Sequence, residues 1–442
     1  MADPGRRAFL KLTAAVAAGA AAAGAGPSDA RAQGARAPAL NLKPEKGARL
    51  RVLRWKRFVQ GDEDLWMKNT ERFAKATGIP VRIDNESWED VRPKAGVAAN
   101  LGSGPDIIVG FFDDPHLYPD KLVDLTDLAN YLGAKYGGWY DTCTRYATKD
   151  GRWIGLPLGS AGIALVYRES HVKAAGFSRF PRDTAGFLKL CSALKAKGTP
   201  PGFALGNAVG DGNAWAHWLV WSHGGKLVDD GNNVVINSPE TVHALDYAKE
   251  LCRTFVPGTS SWLDPDNNQA FLEGRISLTA NGISIYYAAK NDPKLADLAK
   301  DIQHASMPIG PVGRPTELSL FTQAMVFRHT KYPQAAKEYL RFMWEREQYE
   351  PWQQASIGYI TQPLKAYEAS PVWTADPKHA PFRNATNAML YHGHAGRLGY
   401  ASAAAMADYI IVNMVADVAS GARTPGEAAE RARRRAERYY KV

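Results

Sequence analysis

Five side chains in this chain suit hydrogen bonding to a polar solute: Asp113, Asp114, Asn213, Asn281 and Ser284. Carboxylates accept from hydroxyls, and amides both accept and donate. Six aromatic residues, Trp55, Trp88, Phe112, Trp215, Trp262 and Tyr359, stand in or beside turns. Their faces suit the C–H surfaces of a sugar or polyol. Lys56 and Arg397 are the cations to follow, because a guanidinium pairs bidentately with phosphate and would turn such a site toward a phosphorylated polyol. Tyr286 adds a phenol, and with Tyr287 it forms an adjacent pair of the kind that could ligate ferric ion. Hard iron would need a further carboxylate or histidine, and neighbouring tyrosines on a strand point to opposite faces. His392-Gly393-His394 is too isolated for a zinc site and reads as a loop. Each carboxylate also has a plainer reading, since Asp113-Asp114-Pro115 can simply cap a helix.

The elements that must position these groups follow from local pattern. In Ser260–Tyr287, Trp262 precedes a polar turn built from Asp264, Pro265, Asp266, Asn267 and Asn268. Ala270, Phe271 and Leu272 then give a short helix stopped at Glu273-Gly274. Ile276, Leu278 and Ala280 alternate with Ser277 and Thr279 as a strand does. That strand ends at Asn281-Gly282, so amide and hydroxyl groups reach its carboxyl end, where open α/β sheets bind ligands. The same order of strand, helix and polar tip occurs at Arg49–Trp55, at 80–84 and at Asp106–Gly110, which opens onto Phe111-Phe112-Asp113-Asp114. Trp215, Trp218 and Trp221 recur at intervals of three along one helix face. Trp218 and Trp221 read as core, and Trp215, first after the Gly206–Asn213 loop, as the one facing a ligand.

Strand and helix alternate, so the expected class is α/β. At 442 residues, with 45% apolar and 22% charged content, the chain can bury a large core and divides into more than one domain. Its charge of +9 is dispersed and no nucleic-acid motif accompanies it. The dense cluster Arg431, Arg433, Arg434, Arg435, Arg438 is interleaved with Glu427, Glu430 and Glu437 and reads as a solvated helix face. No dinucleotide fingerprint, haem or iron–sulfur spacing appears, and no cofactor is expected. A hydrolytic pair such as Glu86 and Asp113 is the alternative from the enzyme class. Cys143, Cys191 and Cys252 lack any C-x-x-C spacing and read as single buried thiols.

The N-terminus carries Arg6-Arg7-Ala-Phe-Leu-Lys11, a weakly apolar Leu12–Gly26 run and Ala30-Arg31-Ala32. That order reads as a secretory signal, and the paired arginines resemble the twin-arginine signal that exports folded proteins to the periplasm. Cleavage after Ala32 removes four basic and two acidic residues and leaves +7.

Taken in order, Gly104-Pro105-Asp106-Ile107-Ile108, Asp150-Gly151 with Gly155-Leu156-Pro157, Ala270–Gly274 with Asn281-Gly282, and Ala335–Leu340 resemble the extracellular solute-binding proteins of ABC importers. The group is that of the maltodextrin, sugar-alcohol and glycerol-phosphate binders. The resemblance covers about residues 48–442. It implies a two-lobed periplasmic-binding-protein fold of type II, hinge closure over a solute in the cleft, and delivery to an inner-membrane ABC permease. A monomer is expected, with no nucleic acid as partner. The division expected is a signal peptide at 1–32, a linker at 33–47, lobe 1 at 48–158 and 308–345, and lobe 2 at 159–307 and 346–442. Tyr167-Arg168 stands where the group usually has Tyr-Asn. Ala161 replaces the acidic residue after the hinge proline, and Ser284 and Tyr286 replace paired tryptophans. A small sugar, polyol or related polar solute therefore fits better than a maltodextrin.

Overall fold

In the computed structural model, which describes residues 38–441, strand β1 (Leu50–Trp55) is buried everywhere but at Arg51. A strand inside a parallel sheet is covered on both faces, so its neighbours demand this near-continuous burial. It pairs in parallel with β2 (Val81–Glu86) and β3 (Ile107–Phe111). Helices α1 (Gln60–Thr77) and α2 (Trp88–Leu101) make the crossovers. Each ends on a left-handed glycine, Gly78 at φ 73° and Gly102 at φ 61°. The twin-arginine segment and its cleavage site lie outside the described residues.

A short hairpin follows, β4 (Thr148–Lys149) and β5 (Arg152–Trp153), turning at Asp150-Gly151. β6 (Leu156–Ala161) joins the first sheet and β7 (Ala164–Arg168) the second, so the chain changes sheets within Gly162-Ile163. β8 (Leu278–Asn281) and β9 (Ile302–Ala305) flank β7, both antiparallel to it. β10 (Leu320–Val326) returns to the first sheet between β6 and β3, and β11 (Ile360–Thr361) adds to the β6 edge. The two sheets read β11-β6-β10-β3-β1-β2 and β8-β7-β9. Gly159 makes the β6–β11 approach possible. It sits at φ 132°, and a Cβ there would lie 2.0 Å from the Thr361 carbonyl oxygen.

Several expectations change against this frame. Gly159, Ser160 and Ala161 belong to β6, and only Gly162-Ile163 cross. Phe203–Leu205 lies outside both sheets. Its neighbourhood bonds to the Thr259–Trp262 turn instead, with Leu205 N–H to Thr259 at 3.0 Å. Residues 346–367 pack on the first lobe rather than the second, because Tyr349, Trp352, Ile360 and Leu364 complete its core, while Asp376 and Lys378 bond to second-lobe Tyr286 and Ala299. The Trp352 indole donates to Asp62 at 2.9 Å, and the Tyr367 hydroxyl to the Trp344 carbonyl at 2.8 Å. The helices Tyr400–Ala407, Ile410–Ala419 and Pro425–Tyr440 contribute to the second core. The basic face of the last helix is spent in ion pairs, Arg431 with Asp417 at 2.6 Å and Arg435 with Asp408 at 2.8 Å among them. Tyr286 and Tyr287 lie on the helix Ser284–Asn291, not on a strand. All three cysteines are free thiols; Cys143 and Cys191 are buried and Cys252 half-buried.

Candidate functional site

The two lobes meet over a narrow cavity. Phe58, Trp88, Leu320 and Tyr359 line it from the first lobe, and Asp211, Asp264, Asn281 and Ser284 from the second. The lobes are close enough to leave only about 30 Å³ between them, room for about one or two waters.

The second-lobe wall is a hydrogen-bonded network. Asn281 ends β8, and Ser284 opens the next helix. The Asn281 amide donates to Asp211 Oδ2 at 2.9 Å and to Asn268, while its carbonyl oxygen accepts from Ser284 at 2.9 Å. Asn268 donates to the Ser284 hydroxyl at 2.8 Å, and Asn267 donates to the same Asp211 oxygen at 2.8 Å. The segment expected as a polar turn is the start of the helix Asp264–Leu272, and it converges with the end of β8 on one carboxylate.

Asp211 begins the helix Asp211–Ser222, and Asp264, first in the helix Asp264–Leu272, caps it. Asp264 accepts backbone N–H groups of Gly210 at 3.1 Å and Asp211 at 2.7 Å, the arrangement a helix N-terminus favours. Gly210 permits this approach, since a Cβ there would lie 3.2 Å from both Asp264 Oδ1 and Leu320. Burial, then the nearby Asp264 charge, push the Asp211 carboxyl well above the ordinary range. Burial raises Asp264 to about 6 against the pull of those N–H groups.

The first-lobe wall is aromatic. Trp88 opens α2, stacks on Phe111 with centroids 5.0 Å apart and meets Phe58 edge-on at 5.3 Å. Its indole N–H is buried and finds no acceptor among the described residues. Tyr359 is also buried. Burial, then the fields of Asp62, Asp211 and Asp264, hold its phenol well above the usual value.

Residues 68–381, more than two thirds of the chain, match the bacterial extracellular solute-binding protein family. The chain belongs to that family. A probable ABC transporter-binding protein of Deinococcus radiodurans is 23% identical over 287 residues, 62% of this chain and 67% of its own length. The putative ABC transporter periplasmic-binding protein YcjN of Escherichia coli K12 is 22% identical over 312 residues, 68% of this chain and 70% of its own. Among solved structures, maltose-bound MalE3 of T. maritima superposes with a TM-score of 0.76 at 18% identity, covering 88% of this chain and 99% of that one. A sugar transporter protein of Arthrobacter chlorophenolicus A6 with bound laminaribiose gives 0.77 at 18%, covering 89% and 99%. A solute-binding protein of Agrobacterium radiobacter K84 in complex with ribitol gives 0.73 at 18%, covering 90% and 100%. The fold is therefore the two-lobed, maltodextrin-binding-like one that the sequence resembles.

Of the residues expected at the site of this solute-binding protein, Trp88, Asn281, Ser284 and Tyr359 are brought together at the cleft. The others lie elsewhere, each for a visible reason. Trp55 is a core ring whose indole donates to Asp62 at 3.0 Å. Phe112 is buried in a left-handed turn at φ 43°. Asp113 accepts from the Ser402 hydroxyl, and Asp114 pairs with Arg92 at 2.6 Å. Asn213 turns back on its own helix start and donates to the Val209 carbonyl at 3.1 Å. Trp215 is fully buried, its indole bonded to the Ala204 carbonyl at 2.6 Å and its ring edge-on to Phe203. Trp262 packs into the core against Gly202, where a Cβ would lie 2.9 Å from its ring. The Tyr286 hydroxyl donates to Asp376 at 2.5 Å. Lys56 and Arg397 are exposed and line no part of the cleft. Sequence reading missed Phe58, Asp211, Asp264 and Leu320. Asp211 stood in the Gly206–Asn213 loop and Asp264 in the polar turn, but no periodicity marks a residue that caps a distant helix.

Proposed function

We propose that this solute-binding protein holds a small sugar or polyol between its lobes and delivers it unchanged to the inner-membrane permease of an ABC importer. The observation that carries this reading is the Asn281–Asp211–Asn268–Ser284 network facing Phe58, Trp88 and Tyr359 across the cleft. Amides and a carboxylate on one side, with aromatic surface on the other, are what a polyhydroxyl ring or chain needs. That fold relatives hold laminaribiose and ribitol supports the class. A phosphorylated solute would find no cation among the described lining residues. Against ferric ion, the Tyr286 and Tyr287 hydroxyls are engaged by Asp376 and by the Gly61 N–H. Against a hydrolytic pair, Asp113 is held by Ser402 and Glu86 by Lys94.

In this reading the lobes turn about the Gly162-Ile163 crossing and the 306–319 return, and solute shifts the population toward the closed form. The protein works as a monomer in the periplasm, reached by the twin-arginine route through Arg6-Arg7. Calorimetric titration of the mature chain with sugars and polyols tests the reading. One-to-one binding with compaction in small-angle scattering is expected. Turnover of the bound compound, or no binding by any polyhydroxyl compound, would overturn it.

A further inference from the structure

We infer that the solute carries a protonated amine beside its hydroxyls, the ammonium seated against Asp211; this rests on the sugar-or-polyol reading above. Asp113 has only the Ser402 hydroxyl, but two other buried aspartates outside the cleft carry a counter-charge. Asp62 has Arg54 at 2.5 Å and Asp114 has Arg92 at 2.6 Å. The cleft pair does not. Asp264 is satisfied by backbone N–H groups alone, and Asp211 takes both of its donors, Asn267 and Asn281, on one oxygen. Its other oxygen has no partner among the described residues, and Asp211 is half-buried on the cavity wall.

Glu89, from the first-lobe helix α2, adds a third carboxylate whose field raises Asp264. Its Oε1 is buried and unpartnered. No lysine, arginine or histidine is among the described lining residues; Arg92 gives its Nε to Asp114, and its Nη2 is buried without a partner. The cleft therefore gathers carboxyl groups with no cation among the described lining residues; burial and mutual repulsion hold Asp211 toward its protonated form, and an ammonium would return it to the carboxylate.

A hydroxyl can donate to Asp211 but does nothing for the repulsion among these carboxylates, whereas an ammonium relieves it. Phe58 and Tyr359 offer surface that tolerates a cation. The unpartnered indole N–H of Trp88 asks for an acceptor, which a hydroxyl or ring oxygen supplies and a bare polyamine does not. An amino sugar or amino polyol answers all three features.

The test is calorimetric titration of the mature protein near neutral pH with matched pairs: D-glucosamine and D-glucose, D-galactosamine and D-galactose, glucamine and sorbitol, with putrescine alongside. The amine of a pair is expected to bind about 10- to 100-fold tighter, the range of a hydrogen bond between charged partners. Asp211→Asn should collapse that ratio toward one and Glu89→Gln should narrow it, with thermal unfolding confirming that both variants fold. Neutral members that bind as tightly as their amines would overturn the amine seat and leave the sugar-or-polyol reading in place. Binding of putrescine alone would do the reverse. If no member of the panel binds, both fall.

Discussion

The Tyr287 hydroxyl accepts a hydrogen bond from the Gly61 backbone N–H at 2.9 Å, tying the start of α1 in the first lobe to the helix behind Asn281 in the second. Position 61 must be glycine here, because a Cβ would lie 2.0 Å from the Ala355 carbonyl oxygen. Under the proposed closure, this bond belongs to the closed arrangement of the lobes. Tyr287→Phe should favour the open form by about 1 kcal/mol and weaken solute binding about fivefold. Scattering of the ligand-free variant should show a larger radius of gyration. Unchanged affinity and radius would mean that this bond plays no part in closure.

The Arg54–Asp62 pair is the deepest ion pair in the first lobe. The guanidinium lies 2.5 Å from the carboxylate, with the Trp55 and Trp66 rings at 4.7 and 4.6 Å from its carbon. Asp62 also accepts from the Trp55 and Trp352 indoles, so one carboxylate gathers β1, α1 and the 346–355 helix. Arg54→Met leaves it buried without its counter-charge and should cost about 3–5 kcal/mol in urea unfolding. A loss below about 1 kcal/mol would mean that water already reaches the site.

What could be read from the sequence divides along physical lines. The strand ending at Asn281-Gly282 and the helix stopped at Glu273-Gly274 were legible, because period and capping are local properties. The side a single aromatic faces was not. Trp88 and Trp215 both follow polar loops, yet Trp88 reaches the cleft while Trp215 packs on Phe203 and Phe255. Asp113 and Asp114 sit at a strand tip as the cleft requires, but Ser402 claims the first from a helix 289 residues away and Arg92 the second from α2. Asp264 takes its role from a helix that starts 53 residues earlier. Such partners are fixed by tertiary packing, which no local pattern encodes.

Export should depend on the paired arginines. Replacing Arg6 and Arg7 with lysine is expected to hold the precursor, signal attached, in the cytoplasm, as cell fractionation would show. Normal periplasmic levels of the double variant would point to another route.

Burial raises the Asp113 carboxyl from 3.8 to about 6, opposed by the Ser402 hydrogen bond and the His116 field and reinforced by Asp114. The folded state therefore binds this proton more tightly than the unfolded state. Stability linked to Asp113 is present in acid and falls as pH rises from about 4 to about 6, by up to roughly 3 kcal/mol. Asp113→Asn keeps the shape and removes the ionisation, so its unfolding free energy should lose that downward slope. An identical pH profile for the variant and the parent would show that Asp113 titrates normally.

Two asparagines of similar burial separate the cleft from its scaffold. Asn281 joins Asp211, Asn268 and Ser284, while Asn213 serves its own helix start by donating to Val209. Both are almost fully buried, so replacing either with alanine should cost about 1–3 kcal/mol of stability through unsatisfied partners. Their effects on binding should differ. Asn281→Ala leaves the Asp211 carboxylate with Asn267 alone and the Ser284 hydroxyl without its acceptor in the cavity wall, and solute affinity should fall at least about tenfold. Asn213→Ala should leave affinity within about twofold, because its amide touches nothing that lines the cavity. If Asn213→Ala lost affinity as Asn281→Ala does, the solute would sit deeper against the 211–222 helix than the present cleft places it.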